Sequence, residues 1–325
     1  MKNPAGDLAI AVDFGGSKIL AGLADRKGDI LTKFQQPSNQ DPGKAISTIS
    51  HLIEQLLANK ARSRRITGIG ISAPGMVDSH NGTLLYAPFY DLRNFPLGGV
   101  VENRFGIKTY VENDVNSSAL AELHFGHGKR IKNFFWITIS NGVGGALVVN
   151  GQLHKGAHGL AGEIGHITVK NQGKICDCGK RGCLETIVSG RAIEKSAVNR
   201  LKKGHKSIIT SMICTKNETL RAKTVCAAAK RGDPLAQEVL SEAIEYLAKA
   251  ISITINLLDP QMVILGGGVS QAGAIFLGPL RRRVEDYTIM GSYRTVPITR
   301  TQLGYYASLI GAATLVLCEG KKDKP

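Results

Sequence analysis

A chain of 325 residues, 43% apolar and 21% charged, has the composition of a folded globular protein, is too hydrophobic for a disordered one, and is long enough for two domains. No run approaches the roughly 18 apolar residues of a membrane-crossing helix, and the start, Met1-Lys2-Asn3-Pro4-Ala5-Gly6-Asp7, meets a charge before any apolar stretch, so neither membrane insertion nor secretion is expected. The net charge of +15 attracts anions in general, but the basic residues come in scattered twos and threes, as at Arg62-Ser63-Arg64-Arg65, Leu201-Lys202-Lys203 and Arg281-Arg282-Arg283, which argues against specific nucleic-acid binding.

Leu8–Val12 is an apolar run that stops at Asp13-Phe14-Gly15-Gly16-Ser17-Lys18, and Ile19–Ala24 resumes the pattern. Strand, glycine turn, strand is the expected structure. Ile46, Ile49, Ile53, Leu56 and Leu57 recur at helical spacing within 45–61, and Ile66–Ile71 is a buried-type strand closing at Ala73-Pro74-Gly75. A short strand over Lys108–Val111 is followed by Glu112-Asn113-Asp114 and an Ala-rich helix over Ser117–Leu123. Asn133–Ile139, the turn Ser140–Gly145 and Ala146–Val149 then repeat the strand–glycine–strand pattern of the first segment, which suggests a duplicated two-lobe architecture. Asp233-Pro234 opens a long helix with the apolar stripe Leu235, Val239, Leu240, Ala243, Ile244, Leu247, Ala250 and Ile251. The strand Met262–Leu265 feeds Gly266-Gly267-Gly268 and a further helix, and the lysine-rich tail Gly320–Pro325 is expected to fray. Strands alternating with helices make an α/β fold.

The sharpest chemical signal joins His166 to Cys176, Cys178 and Cys183. Four such donors fill the tetrahedral shell of a structural zinc, one ion per chain, with Gly179 and Gly182 letting the loop turn back on itself. A closed shell leaves no place for an activated water. The competing readings are a disulfide or free thiols, and without a secretory leader a disulfide is not expected. Cys214, Cys226 and Cys318 stand alone and read as small core residues.

The glycine turns can bring backbone N–H groups up to phosphates. In the first, Ser17 adds a hydroxyl, Lys18 a charge, and Asp13 a hard oxygen suited to Mg²⁺. Glycine is also the default hairpin residue, so each turn alone is more readily explained as structure. Gly266–Gly268 follows a buried strand, where open α/β sheets bind ligands. Asp114 reads two ways: as the N-cap of the helix that follows it, or as a carboxylate at a strand end that takes a proton from a hydroxyl.

Asp13-Phe14-Gly15-Gly16-Ser17-Lys18, Glu112-Asn113-Asp114, Glu163-Ile164-Gly165-His166 and Cys176-x-Cys178-Gly179-x-x-Gly182-Cys183-x-Glu185, in this order, resemble the ROK (repressor, open reading frame, kinase) family of sugar kinases and sugar-responsive repressors. The likeness runs from Leu8 to about Leu317, where Gly304-Tyr305-Tyr306-Ala307 and Gly311-Ala312-Ala313 look like the family's terminal helix. It implies an actin/hexokinase-like (ribonuclease H-like) fold, with a small lobe of residues 1–119 plus 302–325 and a large lobe of 120–301 carrying the zinc loop. It also implies phosphorylation of a hexose or N-acetylhexosamine hydroxyl by ATP with Mg²⁺, a cytoplasmic enzyme, and a homodimer or homotetramer.

By the same resemblance Asp114 is the general base, and Asn113, Glu163, His166 and Glu185 bind the sugar. His166 would also ligate zinc. Asp13, Gly15, Gly16, Ser17, Lys18, Gly142 and Gly144 hold Mg²⁺ and phosphates, and Gly266 and Gly267 border the adenosine. The chain departs from the pattern where Ser17 replaces threonine, Ser140-Asn141-Gly142 replaces Gly-Thr-Gly, and Ala146 replaces a glycine. Phe89 stands where many glucose-directed members carry a sugar-contacting asparagine. A repressor of this family carries an N-terminal helix-turn-helix of roughly 60–80 residues, and seven residues precede Leu8, so a kinase is the expectation and a non-catalytic sugar-binding regulator without a DNA-binding domain the alternative.

Overall fold

The computed structural model describes residues 6–59, 64–216, 219–289 and 295–318. The tail Gly320–Pro325 lies outside them. The chain divides into two compact units, the first built from Met1–Lys132, Gly151–Ala161 and Gln302–Pro325, the second from Asn133–Asn150 and Gly162–Thr301.

In the first unit, β1 (Leu8–Phe14), β2 (Lys18–Ala24), β3 (Ile30–Pro37) and β4 (Ile66–Ala73) are followed by a small antiparallel sheet, β5 (Met76–Asp78), β6 (Thr83–Ala87) and β7 (Leu92–Phe95), and by β8 (Thr109–Asn113). The main sheet runs β3-β2-β1-β4-β8, antiparallel through the hairpin and parallel from β1 to β8. Leu8, Ile10, Val12 and Phe14 of β1 face a core shared with the helix Pro42–Asn59. Ala9 and Ala11 face the other way, against Leu309, Ala312 and Ala313 of the helix Ala307–Leu317. The period-2 alternation of large and small residues thus decides which helix each face takes, because only the alanine face admits a close backbone. The approach is tight: a Cβ on Gly70 of β4 would lie 1.8 Å from the Ala312 carbonyl oxygen.

The second unit repeats the plan. β9 (Phe134–Ile139) and β10 (Val143–Val149) form its hairpin, β11 (Gln152–His154) belongs to the segment that folds with the first unit, and β12 (Met262–Gly266) and β13 (Ile298–Arg300) complete the set. The order β10-β9-β12-β13, with β9, β12 and β13 parallel, matches β2-β1-β4-β8. The helix Pro234–Leu258 packs on this sheet with its whole predicted stripe buried, capped by the Asp233 carboxylate accepting the Ala236 N–H.

Several boundaries differ from the sequence reading. The second glycine turn spans only Ser140–Gly142, since Gly144 and Gly145 already pair with Thr138 and Ile137 inside β10. The helix expected from Ser117 begins at Asp114. Cys226 is buried, but Cys214 is exposed and Cys318 only partly covered, so neither is a core residue. Among the described residues no helix is long and apolar enough to cross a membrane.

Candidate active site and metal centre

In the first unit the candidate residues gather at the carboxyl ends of adjacent parallel strands, where open α/β sheets present ligand sites. Asp13 of β1 is level with Ser72 of β4, and Ser72 with Glu112 of β8. Asp13 and the Asn113-Asp114 pair therefore lie two strands apart, about 10 Å at the usual strand spacing.

Asn113 is the N-cap of the helix Asp114–Phe125, its Oδ1 accepting the N–H groups of Val115 at 2.9 Å and Asn116 at 3.1 Å. Its Nδ2 donates to the Gly75 carbonyl at 2.9 Å and to Asp114 Oδ1 at 3.2 Å. The capping role that sequence reasoning weighed for Asp114 thus belongs to its neighbour. Asp114 occupies the first helical position, where the helix dipole favours a negative charge.

The first glycine turn is compact and stiffly supported. The Gly15 carbonyl accepts the Tyr90 hydroxyl at 2.8 Å, and that hydroxyl is 2.6 Å from Ser38 Oγ. Burial pushes the Tyr90 pKa up to about 12, so it remains a donor. The Phe89 ring, 42% exposed, lies over Gly16 and edge-on to Tyr90. Ser17 is exposed, and the Lys18 ammonium sits 4.0 Å from the centre of the Tyr305 ring. Desolvation raises the Asp13 pKa, opposed by a hydrogen bond from Ser308 and by the charge of Lys18. Ser308 Oγ donates to Asp13 Oδ1 at 2.8 Å and is 2.6 Å from Ser72 Oγ. Nothing in the sequence pointed to Ser308, which enters from a helix at the far end of the chain.

In the second unit the four metal-ligand candidates converge. Their donor atoms all lie within 4.8 Å of one another, with Cys178 Sγ 3.6 Å from Cys183 Sγ and Cys176 Sγ 3.7 Å from His166 Nδ1. A tetrahedral zinc with Zn–S near 2.3 Å and Zn–N near 2.0 Å sets its donors about 3.5–3.8 Å apart, so the set fits that ion. The sulfurs are too far apart for a disulfide, which needs about 2.05 Å. The loop reaches this shape through glycine: Gly182 has φ +74°, and a Cβ there would lie 1.8 Å from the Lys170 carbonyl oxygen.

His166 directs Nδ1 toward Cys176 and places Nε2 3.9 Å from Glu163 Oε2. Glu163 is shifted upward first by burial, lowered by His166 and raised by Glu185, so the three form one electrostatic cluster. Glu185 Oε2 accepts the Val143 N–H at 2.8 Å, and a Cβ on Gly142 would come within 2.5 Å of that oxygen. The metal loop is thereby tied to the second glycine turn. Gly267, at φ +81°, approaches Ile139 so closely that its Cβ would meet the Ile139 carbonyl oxygen at 2.3 Å. Gly142, Gly266 and Gly267 therefore share one end of the second sheet, while Gly144 lies within β10.

Comparison with known proteins follows the same pattern. The chain is 33% identical over 308 residues to a glucokinase of Thermotoga maritima, covering 94% of this chain and 96% of that one. It is 32% identical over 313 residues to the N-acetylglucosamine repressor of Escherichia coli O157:H7, covering 95% of this chain and 75% of the repressor. Among solved structures it superposes on a ROK family glucokinase from Streptomyces griseus in complex with glucose and AMPPNP, with a TM-score of 0.86, 33% identity, and coverage of 95% and 99%. A ROK hexokinase from Thermus thermophilus gives 0.77 at 28% identity, with coverage of 97% and 99%. These likenesses support the actin/hexokinase-like fold. The family model for ROK matches residues 9–319, and with that span the chain belongs to the ROK family.

Proposed function

We propose that this protein is a sugar kinase that transfers the γ-phosphoryl group of ATP, with Mg²⁺, to a hydroxyl of a hexose or N-acetylhexosamine. The observation that carries the reading is the Asn113-Asp114 pair: a capped, hydrogen-bonded carboxylate at a strand end of a ROK fold, at the same sheet end as Asp13 and its glycine turn. Phosphoryl transfer asks chiefly for positioning and charge stabilisation. Asp114 would accept the acceptor hydroxyl's proton as the phosphoryl group arrives, and Asn113 would orient that hydroxyl. Asp13 would hold Mg²⁺, Ser17 and Lys18 with the N–H groups near Gly15, Gly16 and Gly142 would take the phosphates, and Gly266 and Gly267 would border the adenosine. Glu163, His166 and Glu185 would bind the remaining sugar hydroxyls.

One structural zinc on His166, Cys176, Cys178 and Cys183 would fix the imidazole's tautomer and direction, leaving Nε2 for the substrate. The proposed assembly is a cytoplasmic homodimer or homotetramer. A second reading, a sugar-binding regulator without catalysis, draws on the likeness to the repressor and on Ser140, Asn141 and Phe89.

A coupled assay with Mg-ATP against glucose, mannose, fructose, allose, N-acetylglucosamine and N-acetylmannosamine separates the two. Turnover of at least one sugar is expected. Asp114→Asn should then lower kcat by about 10²–10⁴, the usual worth of a general base, with sugar affinity held within a few-fold. Near wild-type turnover in that variant would remove the base assignment, and binding without turnover of any sugar by the wild type would favour the regulator.

A further inference from the structure

Glu112 precedes the Asn113-Asp114 pair, and its side chain is only 4% exposed. Its Oε1 accepts the N–H of Asn113 at 3.0 Å and Nδ2 of Asn116 at 3.1 Å. Its Oε2 lies 2.5 Å from the Lys155 ammonium. Lys155 also reaches Ser79 Oγ at 2.5 Å, on a turn stiffened by Asp78, which accepts the N–H groups of His80 and Asn81. Lys155 belongs to neither β8 nor its helix. It stands on the segment 151–161, which folds with the first unit and continues at Gly162 into Glu163-Ile164-Gly165-His166. Its own carbonyl holds the last residue of that segment, accepting the Ala161 N–H at 3.0 Å.

A pair of exposed charges contributes little, because water serves each charge nearly as well. Here one partner is buried. A carboxylate without solvent depends on its cation and hydrogen-bond donors, and removing the cation leaves an uncompensated charge. Of the donors Glu112 relies on, one is the backbone N–H of Asn113, the cap beside Asp114, and another is the side chain of Asn116 in the first turn that this cap closes.

We propose that the Lys155–Glu112 ion pair is a positioning device for phosphoryl transfer. It holds the strand end that carries Asn113 and Asp114, and ties to it the segment that leads into Glu163 and His166. The proposal rests on the kinase reading. In this role Lys155 acts indirectly, through Glu112 on the direction of the base and through the main chain on the start of the sugar-binding motif.

The test compares Lys155→Met and Lys155→Arg with the wild type in full-length, metal-loaded protein. It reads kcat, the KM values for sugar and ATP, zinc content, sugar affinity by calorimetry, and hydrogen–deuterium exchange over 151–161. In Lys155→Met, kcat should fall about tenfold or more, as misplacement of a reacting group by a fraction of an ångström does. KM for sugar should rise while KM for ATP and zinc content stay put, exchange over 151–161 should accelerate, and Lys155→Arg should recover most of the loss. A kcat within about twofold of wild type, unchanged exchange, or equal damage in both variants overturns the proposal. If Lys155→Met fails to fold, Ser79→Ala, which removes the lysine's second anchor, must show the same selective acceleration over 151–161 or the proposal falls. Should the wild type phosphorylate no sugar, the kinase reading fails separately, and exchange with calorimetry still judges the tether.

Discussion

Replacing Gly311 by alanine tests how the base is held. Gly311 lies in the helix Ala307–Leu317 against the helix that begins at Asp114, and its Cβ would sit 2.0 Å from the Ser117 carbonyl oxygen and 2.3 Å from the carbonyl carbon. Ordinary contact begins at 3.4 Å, so one helix must retreat by 3.4 − 2.0 = 1.4 Å. Neither atom belongs to a flexible side-chain end that could swing aside. In an open helix Gly→Ala stabilises by about 1 kcal/mol; here rigid backbone on both sides puts the overpacking cost in the upper part of its usual range, about 2–3 kcal/mol, so the clash wins. At roughly 2–4 °C per kcal/mol for a unit of this size, a net loss of 1–2 kcal/mol lowers the melting temperature by about 2–8 °C. Ser117 is three residues from Asp114, so the retreat also displaces the base, and a shift near 1 Å costs about 10²-fold in kcat. Circular dichroism melting and the coupled kinase assay read the two effects together. A melting temperature within about 1 °C of wild type and unchanged kcat would refute the close approach and the argument built on it.

The metal centre and Asp13 give two further expectations. Elemental analysis of protein purified without chelator should return about one zinc per chain, and Cys178→Ser should lose it along with stability and sugar affinity, since ion binding and loop folding are coupled. Full zinc content or unchanged sugar affinity in that variant would separate the ion from the substrate loop. For Asp13, burial raises the pKa above its ordinary 3.8, so the folded state disfavours the ionised form. The resulting penalty is absent below the ordinary value and complete above the raised one. Asp13→Asn should therefore melt higher than wild type at pH 7, the difference should shrink as pH falls toward 4, and Mg-ATP binding should be lost at every pH. A lower melting temperature at pH 7 would contradict the burial cost.

Local pattern and local chemistry determined much of this protein. The apolar runs at Leu8–Val12, Ile66–Ile71, Asn133–Ile139 and Met262–Leu265 are strands because each is short, β-favouring and bounded by glycine or proline. The helix at Pro234–Leu258 follows from an unbroken 3.6-residue stripe and a capping aspartate. The metal candidates were legible because three of the four fall within eight residues of each other, with glycines where the loop must turn back.

Other features depended on distance in space. β3 alternates half-buried with exposed positions and reads as polar, and the small sheet β5-β6-β7 is too short to carry a period. The cap went to Asn113 because its side chain could reach both the helix N–H groups and Gly75, 38 residues earlier. Ser308 reaches Asp13 across 295 residues, and Lys155 reaches Glu112 only because residues 151–161 fold with the first unit. A sequence displays the groups able to hold a charge or aim a proton acceptor; which of them meet is decided when buried carboxylates, deprived of water, must find their partners from distant parts of the chain.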